Sequence, residues 1–115
     1  MIINGISRNI DFTDADLLER IEEGSKKVFD ETENLKKIDL KIAEGIRQEC
    51  RILKDFIDYV FGEGTSKEWF GEKDSLNLIL QTFVDIINER EKQMNSINEL
   101  ASKYSPERVQ RWICY

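Results

Sequence analysis

Between Leu76 and Tyr104 runs one apolar seam that neither glycine nor proline interrupts. Leu76, Leu80, Phe83, Ile87, Arg90, Met94, Ile97, Ala101 and Tyr104 recur at alternate steps of four and three, the spacing of one helix face. At 1.5 Å per residue such a helix is about 43 Å long. A compact domain of this chain length has a radius of gyration near ~13 Å and a diameter of roughly 35 Å. The helix is therefore expected to overhang its own domain or to pack in an elongated bundle. Self-association through residues 76–104 and plain packing within one chain both accommodate that length. Arg90 on the seam, with Met94 and Ala101 beyond it, points to a less tightly buried far half.

The 115 residues suit one domain, 1–115, with a modest core. A hydrophobic content of 40% beside a charged content of 35% describes a soluble, charge-rich chain rather than a disordered one. The net charge of −6 argues against a nucleic-acid partner, which calls for a basic patch. It equally disfavours an anionic membrane surface, and no apolar run approaches the ~20 residues needed to span a bilayer. Two readings of Arg108 and Arg111 stand: a local basic spot, or two solvated arginines in a loose tail. Cys50 lies within an apolar helical pattern, as a small buried thiol would, and Cys114 is next to last. Two such cysteines make no disulfide framework, and no secretory signal is apparent, so a cytoplasmic protein is expected.

The expected architecture is mainly α: an N-terminal β-hairpin, then an elongated bundle of three main helices and one short helical turn. Residues 1–12 read as the hairpin. Asn4-Gly5 is a two-residue turn signal, because a type I′ turn needs positive φ at both central positions. A lone hairpin is marginal in water, so it must lean on a helix or join strands of another subunit.

Residues 14–61 read as two helices. Thr13 or Asp14 caps the first, whose seam is Leu18, Ile21, Ser25, Val28, Thr32 and Leu35, widened by Leu17 and Phe29. Glu22 with Lys26, Glu23 with Lys27 and Glu33 with Lys37 are favourable pairs four residues apart. A break is placed near Asn34. The second helix is expected to bury Ile38, Ile42, Ile46, Cys50, Leu53, Phe56, Ile57 and Val60. Gly24 and Gly45 inside these helices each cost ~1 kcal/mol relative to alanine, a cost that close helix–helix approach would offset. Residues 62–74 form a loop, where Thr65 or Ser66 caps a single turn carrying Trp69 and Phe70. Asp74 or Ser75 caps the long helix of residues 75–104, and residues 105–115 form a tail.

Little in the chain points to chemistry. It has no histidine, the commonest general base and metal ligand, and its two cysteines are too far apart for a Cys-x-x-Cys zinc half-site. Gly62-Glu63-Gly64 lacks the residues that complete a phosphate-binding loop. The acidic residues follow the helix surface among lysines, as a solvated face does. No enzyme activity and no cofactor or metal is expected. The aromatics Phe56, Tyr59, Phe61, Trp69 and Phe70 are more suggestive. They either close one end of the core or present an anchor to a protein partner, since Trp and Tyr dominate interface hot spots.

Three segments occur in a telling order: Ile3-Asn4-Gly5 with Ile10-Asp11-Phe12, Phe61-Gly62-Glu63-Gly64-Thr65 with Phe70-Gly71, and Lys103-Tyr104-Ser105-Pro106-Glu107-Arg108 with Gln110-Arg111. Together they resemble small tail-module proteins of phages and prophages of Gram-positive bacteria, which are similar to tail assembly chaperones. The resemblance implies a non-enzymatic protein of the host bacterial cytoplasm that binds the tape measure protein, the tail-tube protein or both during virion assembly. The alternatives are a small acidic phage inhibitor of a host defence system and a structural tail subunit. Candidate protein-binding residues are Tyr59, Phe61, Trp69, Phe70, Arg108, Arg111 and Trp112. Similar proteins often end in a basic tail, whereas this chain closes on Trp112-Ile113-Cys114-Tyr115, an ending that could instead dock onto a neighbour.

Overall fold

A computed structural model describes residues 1–104. They form a mainly helical protein with an N-terminal two-stranded antiparallel hairpin and four helices, three of them long. The elements run β1 (Ile2–Ile3), β2 (Ile6–Ser7), α1 (Ala15–Leu35), α2 (Ile42–Phe61), α3 (Thr65–Phe70) and α4 (Leu76–Tyr104). The described residues extend 54 × 32 × 21 Å with a radius of gyration of 16.7 Å. That exceeds the ~13 Å of a compact domain of this size, as the length of α4 requires.

The hairpin turns at Asn4 and Gly5, with φ of 51° and 82°, the two positive values that a type I′ turn demands. Ile3 pairs with Ile6 and Ile2 with Ser7. Two-residue strands cannot hold themselves together, and here the hairpin is tied to the helices of its own chain. Ile3, Ile10 and Phe12 sink into the common core. The Asn4 side-chain amide donates to the Trp69 carbonyl at 2.9 Å. Gln93 of α4 then grips the segment leaving the hairpin: it donates to the Ile10 carbonyl and accepts the Phe12 amide, both at 2.7 Å.

Asp14 caps α1, its carboxylate accepting the Asp16 amide at 3.2 Å. The helix ends at Leu35, within a residue of the expected break, and residues 36–41 reverse the chain into α2. Ile38 falls in this connection and Ile42 opens α2, so both are exposed rather than buried. Ile52, outside the expected seam, is buried with Cys50, Ile57 and Val60. Burial pushes the Cys50 thiol pKa up. The charge pairs on α1 also differ from expectation. Glu33 meets Lys36 instead of Lys37, and Glu23 accepts the Tyr59 hydroxyl.

Gly24 permits the closest packing of α1 on α2. A Cβ there would stand 2.9 Å from Cδ2 of Phe56 and 3.2 Å from Cδ1 of Tyr59, inside normal contact distance. Gly45 has no such role, since a Cβ there would meet nothing within 4 Å. At the other end of α2, the amide of Gly62 closes the last turn onto the Asp58 carbonyl at 3.0 Å. Thr65 and Ser66 lie inside α3 rather than at its cap. The capping oxygen comes from α2 instead: Asp58 accepts the Ser66 amide at 2.8 Å and its hydroxyl at 3.0 Å. Lys54 spans from α2 to the start of α4, meeting the Lys73 carbonyl at 2.7 Å and Asp74 at 3.0 Å. Ser75, not Asp74, is the residue that caps α4, with its hydroxyl 3.4 Å from the Leu78 amide.

Helix α2 is the hub of this arrangement. It packs on α1, α3 and α4, whereas α1 and α4 barely touch each other. The buried residues of α4 are Ile79, Thr82, Ile86 and Ala101, and the burial of Ala101 corrects the expectation of a less tightly buried far half. In the first half of the helix the inward face is rotated from the expected seam, on which Leu80 and Ile87 stay 48% and 51% exposed while Phe83 packs against the core. The cause is positional, because only the stripe opposite α2 and the hairpin finds neighbours.

Candidate functional site

Two of the residues expected to contact a partner belong to the core. Trp69 and Phe70 are 3% and 6% exposed, which assigns them to the closed end of the bundle rather than to an anchor. Trp69 stacks against Phe61 at 5.2 Å between ring centroids and meets Phe70 edge-on at 6.3 Å. Arg8 completes the group, its guanidinium 5.8 Å from the Phe61 ring centre and 5.6 Å from that of Trp69. It also donates to the Thr65 hydroxyl at 3.1 Å and to the Phe61 carbonyl. A cation held over two rings and two acceptors at once is a rivet between hairpin and helices. No pattern in the sequence singled out Arg8, because its partners lie more than fifty residues away.

Tyr59 stands apart from this cluster, on the outer side of the α1–α2 pair. Its hydroxyl bonds to Glu23, and that bond is the main reason its pKa rises above the ordinary value of 10.0. Among the expected residues that are described, Phe61 alone faces both the aromatic rivet and open space. Arg108, Arg111 and Trp112 lie outside the described residues.

The open space is an apolar groove of about 250 Å³. It exists because α1 and α4 both lean on α2 without closing on each other. Ile21, Ser25 and Val28 form its α1 wall, Phe83, Ile87 and Arg90 its α4 wall, and Leu53, Phe56 and Phe61 its floor. Phe56 is steadied by Phe83 at 5.6 Å between ring centroids. Further exposed apolar side chains extend beyond it, with Phe29 on α1 at 65% and Leu80 and Val84 on α4 at 48% each. Adjacent apolar side chains of this size, left to solvent beside a cleft, mark an interaction surface. The seams of α1 and α4 already contained Ile21, Val28, Phe83, Ile87 and Arg90. What the sequence could not show was that the two seams border one opening instead of meeting.

Among the described residues no group of three or more Cys, Asp or Glu side chains is placed to hold a metal ion. No described helix is long and apolar enough to cross a membrane. Fold and site together define a small helical protein with an apolar groove between α1 and α4. The chain belongs to DUF6673, a family of unknown function whose match covers residues 4–113. No curated protein and no solved structure matches it.

Proposed function

We propose that the chain is a non-enzymatic helix-binding protein that acts as a phage tail assembly chaperone in the host cytoplasm. The observation that carries the reading is the groove between α1 and α4, lined by Ile21, Val28, Phe56, Phe83 and Ile87. An amphipathic helix laid in such a groove buries its apolar face against both walls, with anchors every three or four residues. The tape measure protein, long and aggregation-prone, is the client that the resemblance of the hairpin, loop and terminal segments to tail-module proteins supports over others. The acidic surface keeps the loaded protein soluble. Tail-tube protein is the second client the resemblance supports.

Co-purification from infected cells tests the reading. Tape measure protein should elute with the chain, and Val28→Glu, which places a charge on the α1 wall, should release it. Recovery with a host defence nuclease would instead favour an inhibitor, and abundance in purified virions a structural tail subunit.

A further inference from the structure

Of the residues lining the groove between α1 and α4, only Ser25 and Arg90 have polar side chains, and only Arg90 is charged. Ser25 already donates to the Ile21 carbonyl of its own helix at 2.7 Å. Arg90 has no such partner: among the described residues neither an ion pair nor a hydrogen bond engages its guanidinium. Its own helix supplies no carboxylate, because the positions three and four residues away are Ile86, Ile87, Gln93 and Met94. Gln93 is itself engaged with Ile10 and Phe12.

Arg90 also stands at one end of the opening. The walls run from Ile21 to Val28 on α1 and from Phe83 to Arg90 on α4, about 10 Å or two helical turns each. Past Phe83 the surface stays apolar, with Leu80 and Val84 half exposed. The groove therefore has an apolar end and a cationic end. Open to water, the guanidinium keeps its hydration. A helix that closes over the groove strips part of that hydration, and a charge covered without a partner is destabilising. The covering segment must bring an acceptor to that end, and a carboxylate meets a guanidinium with two parallel bonds.

Resting on the helix-binding reading above, we propose that Arg90 is the residue that selects the client. The helix it admits has apolar side chains at steps of four and three, and an aspartate or glutamate one turn beyond the last of them on the same face. The net charge of −6 repels acidic segments at a distance, so a carboxylate in that one place is favoured and acidic content in general is not.

The test is a library of helical peptides selected against the full chain. Leu, Ile, Met and Phe vary at the apolar steps, and all residues vary one turn to either side. Recovered peptides should carry Asp or Glu at one flank, and changing it to Gln should weaken binding on the order of tenfold. The same carboxylate moved to the opposite face should confer nothing. Arg90→Gln should lose the preference and Arg90→Glu should reverse it to Lys or Arg, both with the melting temperature retained, since Arg90 is exposed. Equal affinity for the glutamate and glutamine peptides overturns the proposal, as does an Arg90→Glu chain that still selects carboxylates. Recovery of no peptide beyond what a Val28→Glu chain recovers overturns it too. Client and selectivity fail separately. Acid-flanked peptides without tape measure protein in the co-purification remove that client and leave Arg90 its role. Tape measure protein held equally by the parent and Arg90→Glu chains removes the role and leaves the client.

Discussion

Two glycines buried to different depths in helices should respond oppositely to the same substitution. Alanine is favoured over glycine in a helix interior by about 1 kcal/mol, and at Gly45 nothing opposes that gain because a new Cβ meets no atom within 4 Å. Gly45→Ala should therefore stabilise by about 1 kcal/mol. At Gly24 the new Cβ would stand 2.9 and 3.0 Å from two carbons of the Phe56 ring, against about 3.5–4.0 Å for a relaxed contact. The ring has little freedom to turn away, since it packs on Phe83 at 5.6 Å. Overpacking of this kind costs roughly 1–3 kcal/mol, so Gly24→Ala should lose up to about 2 kcal/mol net. The two variants should then differ by roughly 1–3 kcal/mol, several degrees or more in melting temperature for a domain of this size. Thermal and urea unfolding followed by circular dichroism would measure both. Phe56 also floors the groove, so Gly24→Ala should weaken client binding while Gly45→Ala leaves it alone. Equal stabilisation by the two alanines would refute the packing account of Gly24.

Trp69→Ala should cost ~3–5 kcal/mol, the usual loss for a buried aromatic, and a urea midpoint close to that of the parent chain would return Trp69 to the surface. Gln93→Ala leaves the Ile10 carbonyl and Phe12 amide without their partner and should cost roughly 1–3 kcal/mol; native-state hydrogen exchange should show the Phe12 amide losing protection. Tyr59 holds its proton more tightly folded than unfolded, because of the bond to Glu23. Its contribution is therefore complete below the unfolded pKa of about 10 and is lost as pH rises through the higher folded value. The stability gap between the parent chain and Tyr59→Phe should shrink above pH ~10, and a gap constant across that range would remove Tyr59 from the linkage.

The hairpin, the first cap and the helix count were legible because each depends on near neighbours. Asn4-Gly5 can hardly be anything but a tight turn, Asp14 bonds two residues along, and α4 announces itself by period alone. Errors arose where a residue's partner lies far off in the chain. Asp58, not Thr65 or Ser66, caps α3, because α2 delivers the carboxylate across the loop. For Trp69 and Phe70 the composition left core and anchor both open, and the fold buries them because Arg8 and the hairpin lie against that end of the bundle.

What the sequence alone determined is which faces of its helices are apolar. Periodicity is a local property, and it marked Ile21, Val28, Phe83 and Ile87 without any knowledge of the fold. Which of those faces would be covered was decided only in three dimensions. Burial depends on what stands opposite, and α2 stands opposite one stripe of α1 and one of α4. Gln93 ties α4 to the segment leaving the hairpin, and α1 and α4 barely touch, so the remaining stripes border a groove. The long seam from Leu76 to Tyr104 is thus only partly a core element: Ala101 on it is buried, while Leu80 and Ile87 stay half exposed.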